Sequence, residues 1–129
     1  MLRRIMPKTV SPPLANYSHA VEVPRDARLL FLAGQVGIAP DGTVPTSCAD
    51  QAELCFANIL AILAEAGMGP GDLVRLNTYL TDLADRPAYG AVRDRHVAAP
   101  PPASTLVIVR ALARPELKIE IEAIAAQVG

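Results

Sequence analysis

Histidine, cysteine and charge are all scarce in this chain, and each shortage excludes something. Two histidines and two cysteines among 129 residues form no cluster with metal-ligand spacing, so no metal is expected. If Cys48 and Cys55 share a helix they stand about 10.5 Å apart along its axis, at about 1.5 Å per residue. That is too far for a disulfide, and both are expected as free, buried thiols. No apolar run near the start is long enough for a signal-peptide core, and none approaches the ~20 residues of a membrane span. A cytoplasmic protein without membrane contact is the expectation. Charged residues make up only 19% and the net charge is -1, which argues against a strong electrostatic footprint for nucleic acid. The basic start, Arg3, Arg4 and Lys8, reads as a solvated terminus. Phosphate loop, dinucleotide fingerprint, zinc motif and nucleophile elbow are all missing, so no local motif names a reaction.

What is present is apolar: 51% of the residues. The length suits one domain, residues 1–129, with a single core. A chain this small has much surface to cover, and so little charge implies that some surface lies between subunits. An alanine-rich monomer is the plainer alternative.

Residues 1–16 carry Pro7, Pro12 and Pro13 and no periodicity, and read as an extended lead-in. "HAVEV" alternates with the period of a half-buried strand. "RLLFLAG" is apolar on both faces, which suits a central strand, and Gly34 ends it where a side chain would obstruct something. Asp41-Gly42 tips a turn. From Ser47 the period changes to 3.6: Ser47 can cap, and Ala52, Cys55, Ile59, Ile62, Leu63 and Ala66 form the stripe of a helix that Gly67 terminates. "LVRLNTYL" sets Val74, Leu76, Thr78 and Leu80 against Arg75, Asn77 and Tyr79, a strand. A second helix starts at Asp85-Arg86-Pro87 and runs to about Val97, where the prolines 100–102 stop it. "STLVIV" and "LKIEIEAIA" are the closing strands, the latter with Ile119, Ile121 and Ala123 opposite Glu120 and Glu122. Two helices covering one face of a mixed sheet give an α+β two-layer domain.

Candidate residues sit at strand ends, and each has a plain structural reading beside the functional one. Tyr17 can be a packed aromatic, Ser104 and Thr105 a strand entry, Glu120 part of a solvated face, Gly34 a backbone requirement. His96 reads as a surface residue or a partner of a helix C-terminus, and His19 as a satisfied structural histidine.

Taken together, "NYSHAV", "LFLAGQVGIAPDGTV", "QAELCFANILAILAEAG", "DLVRLNTYLTDL", "PPASTLVIV" and "LKIEIEAIA" resemble the Rid family, also called YjgF/YER057c/UK114, over nearly the whole chain after residue 11. The resemblance implies a chorismate-mutase-like α+β fold and a homotrimer with a small-molecule cleft at each subunit interface. It also implies hydrolysis of enamines and imines such as 2-aminoacrylate, without metal or organic cofactor. Members are often labelled ribonucleases of the endoribonuclease L-PSP type, to which the mild acidity here lends no support. By the same resemblance Tyr17 lines the cleft, the backbone at Ala33-Gly34 borders it, and Glu120, the first glutamate of "E-I-E", orients water at the imine carbon.

One position departs from the pattern. The family's deaminase branch holds the substrate carboxylate with an arginine in "P-A-R-S", a fork that matches two oxygens at once. Here Pro102-Ala103-Ser104-Thr105 fills that segment, with Ser104 in the arginine's place, and Gly90 aligns with an asparagine of the second helix. Arg110 is about 20 Å along the strand at about 3.3 Å per residue, which leaves Arg93 and Arg95 as other sources of charge. Two functions follow. One is an imine or enamine hydrolase acting on a substrate other than 2-aminoacrylate, with Glu120 positioning water and Ser104 or Thr105 hydrogen-bonding the substrate. The other is a non-catalytic trimer that binds a metabolite or a protein, holdase-like.

Overall fold

The computed structural model describes residues 1–129. Strands β1 (Arg3–Ile5), β2 (Ala20–Glu22) and β3 (Arg28–Val36) precede helix α1 (Cys48–Glu65); β4 (Leu73–Leu80), α2 (Arg86–His96), β5 (Ala103–Ile108) and β6 (Ile119–Gln127) follow. The main sheet has the order β3-β6-β4-β5. Only β4 and β5 run parallel, joined by the α2 crossover; β6 is antiparallel to both its neighbours. The fold is the α+β layering read from the sequence, a mixed sheet with two helices on one face.

The core lies between that sheet and the helices. Leu73, Leu76 and Leu80 of β4 and Ile119, Ile121, Ala123 and Ala125 of β6 meet Ala52, Cys55, Phe56, Ile59 and Leu63 of α1 and Tyr89 and Val92 of α2. Ser47 caps α1 by accepting a bond from the Asp50 amide at 3.1 Å, and Gly67 closes the end of the helix with φ +73°. Gln51 ties the helix start to two loops. Its Nε2 donates to the carbonyls of Pro45 and Glu116 at 2.8 and 2.9 Å, and its Oε1 accepts from the Lys118 amide at 2.8 Å.

Three expectations need correction. The first strand does not join the main sheet: Ala20–Glu22 of "HAVEV" pair antiparallel with Arg3–Ile5 of the lead-in to form a separate two-stranded ribbon. A three-residue strand is too short to show a period. The apolar β3 is an edge strand, not a central one: it pairs with β6 alone, and its second apolar face is left open, with Phe31 70% and Leu29 55% exposed. In β4 the register slips between Leu73 and Arg75, so Leu73 rather than Val74 is the buried residue, after which Leu76, Thr78 and Leu80 follow as expected. An extra residue at a bulge shifts the alternation by one.

Candidate functional site

Glu120 projects from β6 onto the open face of the sheet, beside Tyr79 of β4 and Val36 of β3. The strand pairing of β3 slips between Leu32 and Gln35, at Ala33-Gly34, and there the carboxylate of Glu120 lies directly on the glycine. A Cβ built on Gly34 would stand 1.9 Å from Glu120 Oε2 and 2.7 Å from its Cδ. No side chain fits without displacing the carboxylate, which is the obstruction that Gly34 avoids. Gln35 Nε2 donates to the Ala33 carbonyl at 3.0 Å and steadies this bulge.

Glu122, two residues on and on the same face, is differently used. Tyr79 donates its hydroxyl to Glu122 Oε1 at 2.5 Å and Asn77 donates to the same oxygen at 3.2 Å. The bond to Glu122 holds the Tyr79 phenol above its ordinary pKa, since losing the proton would set two negative charges side by side. Glu122 is therefore occupied by its neighbours, whereas neither oxygen of Glu120 is spent on a side chain of its own subunit. Of the two carboxylates, Glu120 is the one free to engage water or a ligand.

The proline segment assembles a second cluster. Ser18 is buried and donates its hydroxyl to the Pro101 carbonyl at 2.6 Å, while its amide donates to Pro102 at 2.9 Å. Ser18 also pairs in parallel with Ala103. Tyr17 is thereby carried to the mouth of β5, half-buried, its hydroxyl accepting from the Leu14 amide at 3.2 Å and its ring edge-on to His19 at 6.0 Å. The structure thus brings Tyr17 close to the Ser104 end of β5.

Ser104 and Thr105 themselves diverge. Ser104 lies opposite Leu76, a core residue, and so faces the helices; Thr105 lies opposite Asn77 on the open face. Thr105 Oγ1 accepts from Arg75 Nη2 at 2.6 Å. Arg75 was not singled out by sequence reasoning, although its alternation with Leu76 placed it on this face. Glu120 and Ser104 are separated by β4, about 10 Å of sheet at about 4.8 Å per strand, and point to opposite sides. One chain alone does not join them.

Both histidines have structural partners. His19 Nε2 lies 2.7 Å from the Ser11 carbonyl. His96 is not a plain surface residue: it stacks on Phe56 at 5.1 Å and its Nε2 lies 2.8 Å from Glu53 Oε1, linking α2 to α1. That bond holds the Glu53 carboxyl below its ordinary pKa. Cys48 and Cys55 are free and buried, and burial pushes their thiols up to about 11 and about 12. Neither is poised as a nucleophile. No helix is long and apolar enough to cross a membrane.

The family model described as endoribonuclease L-PSP matches residues 8–127. The chain belongs to this family. Its Rid designation comes with YyfB of Yersinia pestis, described as a protein of the conserved Rid family: 36% identity, TM-score 0.84, and 98% of each chain covered. TdcF of Escherichia coli, solved with bound serine, superposes with TM-score 0.71 at 30% identity over 97% of this chain and 99% of that one. The 2-iminobutanoate/2-iminopropanoate deaminase of Dermatophagoides farinae is 30% identical over 125 residues, 95% of this chain and 94% of the relative. The fold and the family named from the sequence both stand, and relatives named as deaminases accompany them.

Proposed function

We propose that this Rid-family chain is a deaminase-like hydrolase of an imine or enamine other than 2-aminoacrylate, working as a homotrimer with a cleft between subunits. The unspent Glu120 carboxylate, pressed on the bare backbone of Gly34, carries this reading. In the imine form of the substrate the C=N carbon is electrophilic. Glu120 takes a proton from water as the oxygen attacks that carbon and returns it to the nitrogen, giving a neutral carbinolamine. The same carboxylate then carries the hydroxyl proton to nitrogen as the C–N bond breaks, so that the hydroxyl becomes the carbonyl of the product and ammonia leaves. An enamine enters after shifting a proton to carbon. Tyr17 lines the cleft, the Ala33-Gly34 backbone closes one side, and Ser104 or Thr105 hydrogen-bonds the substrate.

A second subunit is part of the proposal because Ser104 and Glu120 face opposite ways in one chain. The uncovered apolar residues of the open face, Phe31, Leu29 and Val107, suit burial against a copy. Ser104 is the reason to exclude 2-aminoacrylate as the main substrate, since a hydroxyl offers one neutral donor where a carboxylate favours a charged fork.

The test generates 2-iminopropionate in situ with an amino-acid oxidase and follows imine loss, alongside light scattering for assembly. Slow turnover by the wild type and a gain in Ser104→Arg are expected. A monomer at micromolar concentration, or rapid wild-type turnover unaffected by Ser104→Ala, would overturn the proposal. Retained ligand binding with no hydrolysis of any imine would favour the non-catalytic trimer, the reading that the loss of the arginine supports.

A further inference from the structure

The N-terminal ribbon borders a cavity at the end of β6 remote from Glu120. The cavity measures about 400 Å³, within the range of small-molecule sites. Its walls include Leu2 and Arg4 from the ribbon, Asp72 from the turn before β4, and Ala126, Gln127 and Val128 from the end of β6. Ala126 lies on the same side of β6 as Glu120 but six residues further on, about 20 Å at about 3.3 Å per residue. This space is therefore separate from the Glu120 carboxylate, and one chain forms it alone.

Two opposite charges line it, and neither is spent on the other. The half-buried Arg4 side chain makes one bond, from Nη2 to the Gly71 carbonyl at 3.2 Å. Its Nε is shut off from solvent with no partner at all. A guanidinium carries five N–H donors, so a single neutral acceptor leaves its charge uncompensated. Asp72, the residue after Gly71, commits only one of its two oxygens. Oδ2 accepts from the Gly69 amide at 2.9 Å and from Gln127 Nε2 at 3.2 Å. Arg28 fixes Gln127 in turn, donating to its Oε1 at 2.7 Å. The Asp72 carboxylate is thus anchored by Oδ2, while Oδ1 has no partner. Leu2, Ala126 and Val128 make the rest of the lining apolar.

We propose that this cavity binds a zwitterionic α-amino acid with an apolar side chain. The ligand carboxylate takes the free Nη donors of Arg4, a pairing that the guanidinium geometry suits. The ammonium donates to Asp72 Oδ1, and the side chain lies against Leu2, Ala126 and Val128. A plain carboxylate would set a second anion beside Asp72, and a plain amine a second cation beside Arg4. A molecule that carries both charges close together answers both groups at once. Arg4 pairs with Val21 in the ribbon, so a bound amino acid also fastens the ribbon to the end of the main sheet. The site stands independently of the hydrolase reading, since it uses neither Glu120 nor Ser104.

Calorimetry on the full chain, with L-leucine and L-methionine as probes, tests the site. 4-Methylpentanoate lacks the ammonium, 3-methylbutylamine lacks the carboxylate, and L-serine lacks the apolar side chain. Each should bind at least tenfold more weakly than leucine. Leucine should also raise the melting temperature as its concentration grows, by mass action. Arg4→Gln and Asp72→Asn should each weaken leucine binding about tenfold to a hundredfold, the range of charge-assisted bonds. Asp72→Asn keeps an oxygen for Gly69 and Gln127. Arg4→Lys, which keeps the charge but not the fork, should lose about tenfold and serves if Arg4→Gln does not fold. Glu120→Gln should bind leucine as the wild type does. Affinity that follows Glu120 and ignores Arg4 would place the amino acid elsewhere and overturn the proposal. So would 4-methylpentanoate binding as tightly as leucine, or no binding of leucine or methionine at millimolar concentration.

Discussion

Gly34→Ala is a test of catalysis that leaves every candidate functional group in place. The new methyl would lie 1.9 Å from Glu120 Oε2, and ordinary contact begins near 3.4 Å, so the oxygen must withdraw by about 1.5 Å. Gly34 has no positive φ, so alanine is compatible with the backbone. The atoms it meets are the outer part of a flexible side chain, so the loss of stability should stay near 1 kcal/mol. The effect on chemistry should be larger. A displacement of about 1 Å in a reacting group can cost about a hundredfold, which is ~2.7 kcal/mol of barrier. Imine loss in the oxidase-coupled assay should fall by about that factor while the melting temperature moves by a few degrees. Combining Gly34→Ala with Glu120→Gln should cost no more than Glu120→Gln alone, because both act on one carboxylate. Full turnover in Gly34→Ala, or a double variant whose losses multiply, would refute the assignment of Glu120 to the chemistry.

Glu120→Gln should abolish hydrolysis and leave folding unchanged, whereas Glu122→Gln should keep activity and cost about 1 kcal/mol through its bonds to Tyr79 and Asn77; equal kinetic effects would mean a generic polar face. Gln51→Ala leaves two carbonyls and one amide without their partner, and should lower unfolding stability by about 3 kcal/mol in a urea titration. Cys48 and Cys55, with thiols near 11 and 12, should resist a disulfide reagent at pH 8 and react once unfolded. The thiolate fractions at that pH are about one in 10³ and one in 10⁴, so prompt native-state labelling would contradict their burial.

Much of the fold was legible because single faces repeat. Ile119, Ile121 and Ala123 alternate with Glu120 and Glu122 in the structure as in the sequence, and the stripe Ala52, Cys55, Ile59, Leu63 is the buried side of α1. β3 misled because apolarity on both faces is the same pattern whether helices or another chain cover the second face. Val74 misled because a bulge leaves no mark on composition. The site was legible only in its parts. Gly34 and Glu120 could be tied to one cleft by resemblance, but their contact is a matter of where β3 slips against β6. That Ser104 and Thr105 point opposite ways follows from strand alternation alone. That Tyr89 of the second helix reaches Thr78 of β4 is a tertiary bond that no local spacing announces. Gln51 reads in sequence as one more polar residue in the first turn of a helix, while its role lies in loops far along the chain.

The placement of Glu120 and Ser104 on opposite faces of the sheet bears on how such a protein changes its diet. On the proposed function, the half that handles water is a carboxylate lying on a glycine where any side chain would push it aside, which leaves that half little freedom to vary. On the same proposal the half that grips the ligand, at the start of the edge strand β5, would be free to exchange one side chain for another without disturbing the first. Two surfaces of one small domain would then drift at different rates, and new specificities would arise by rewriting only one of them.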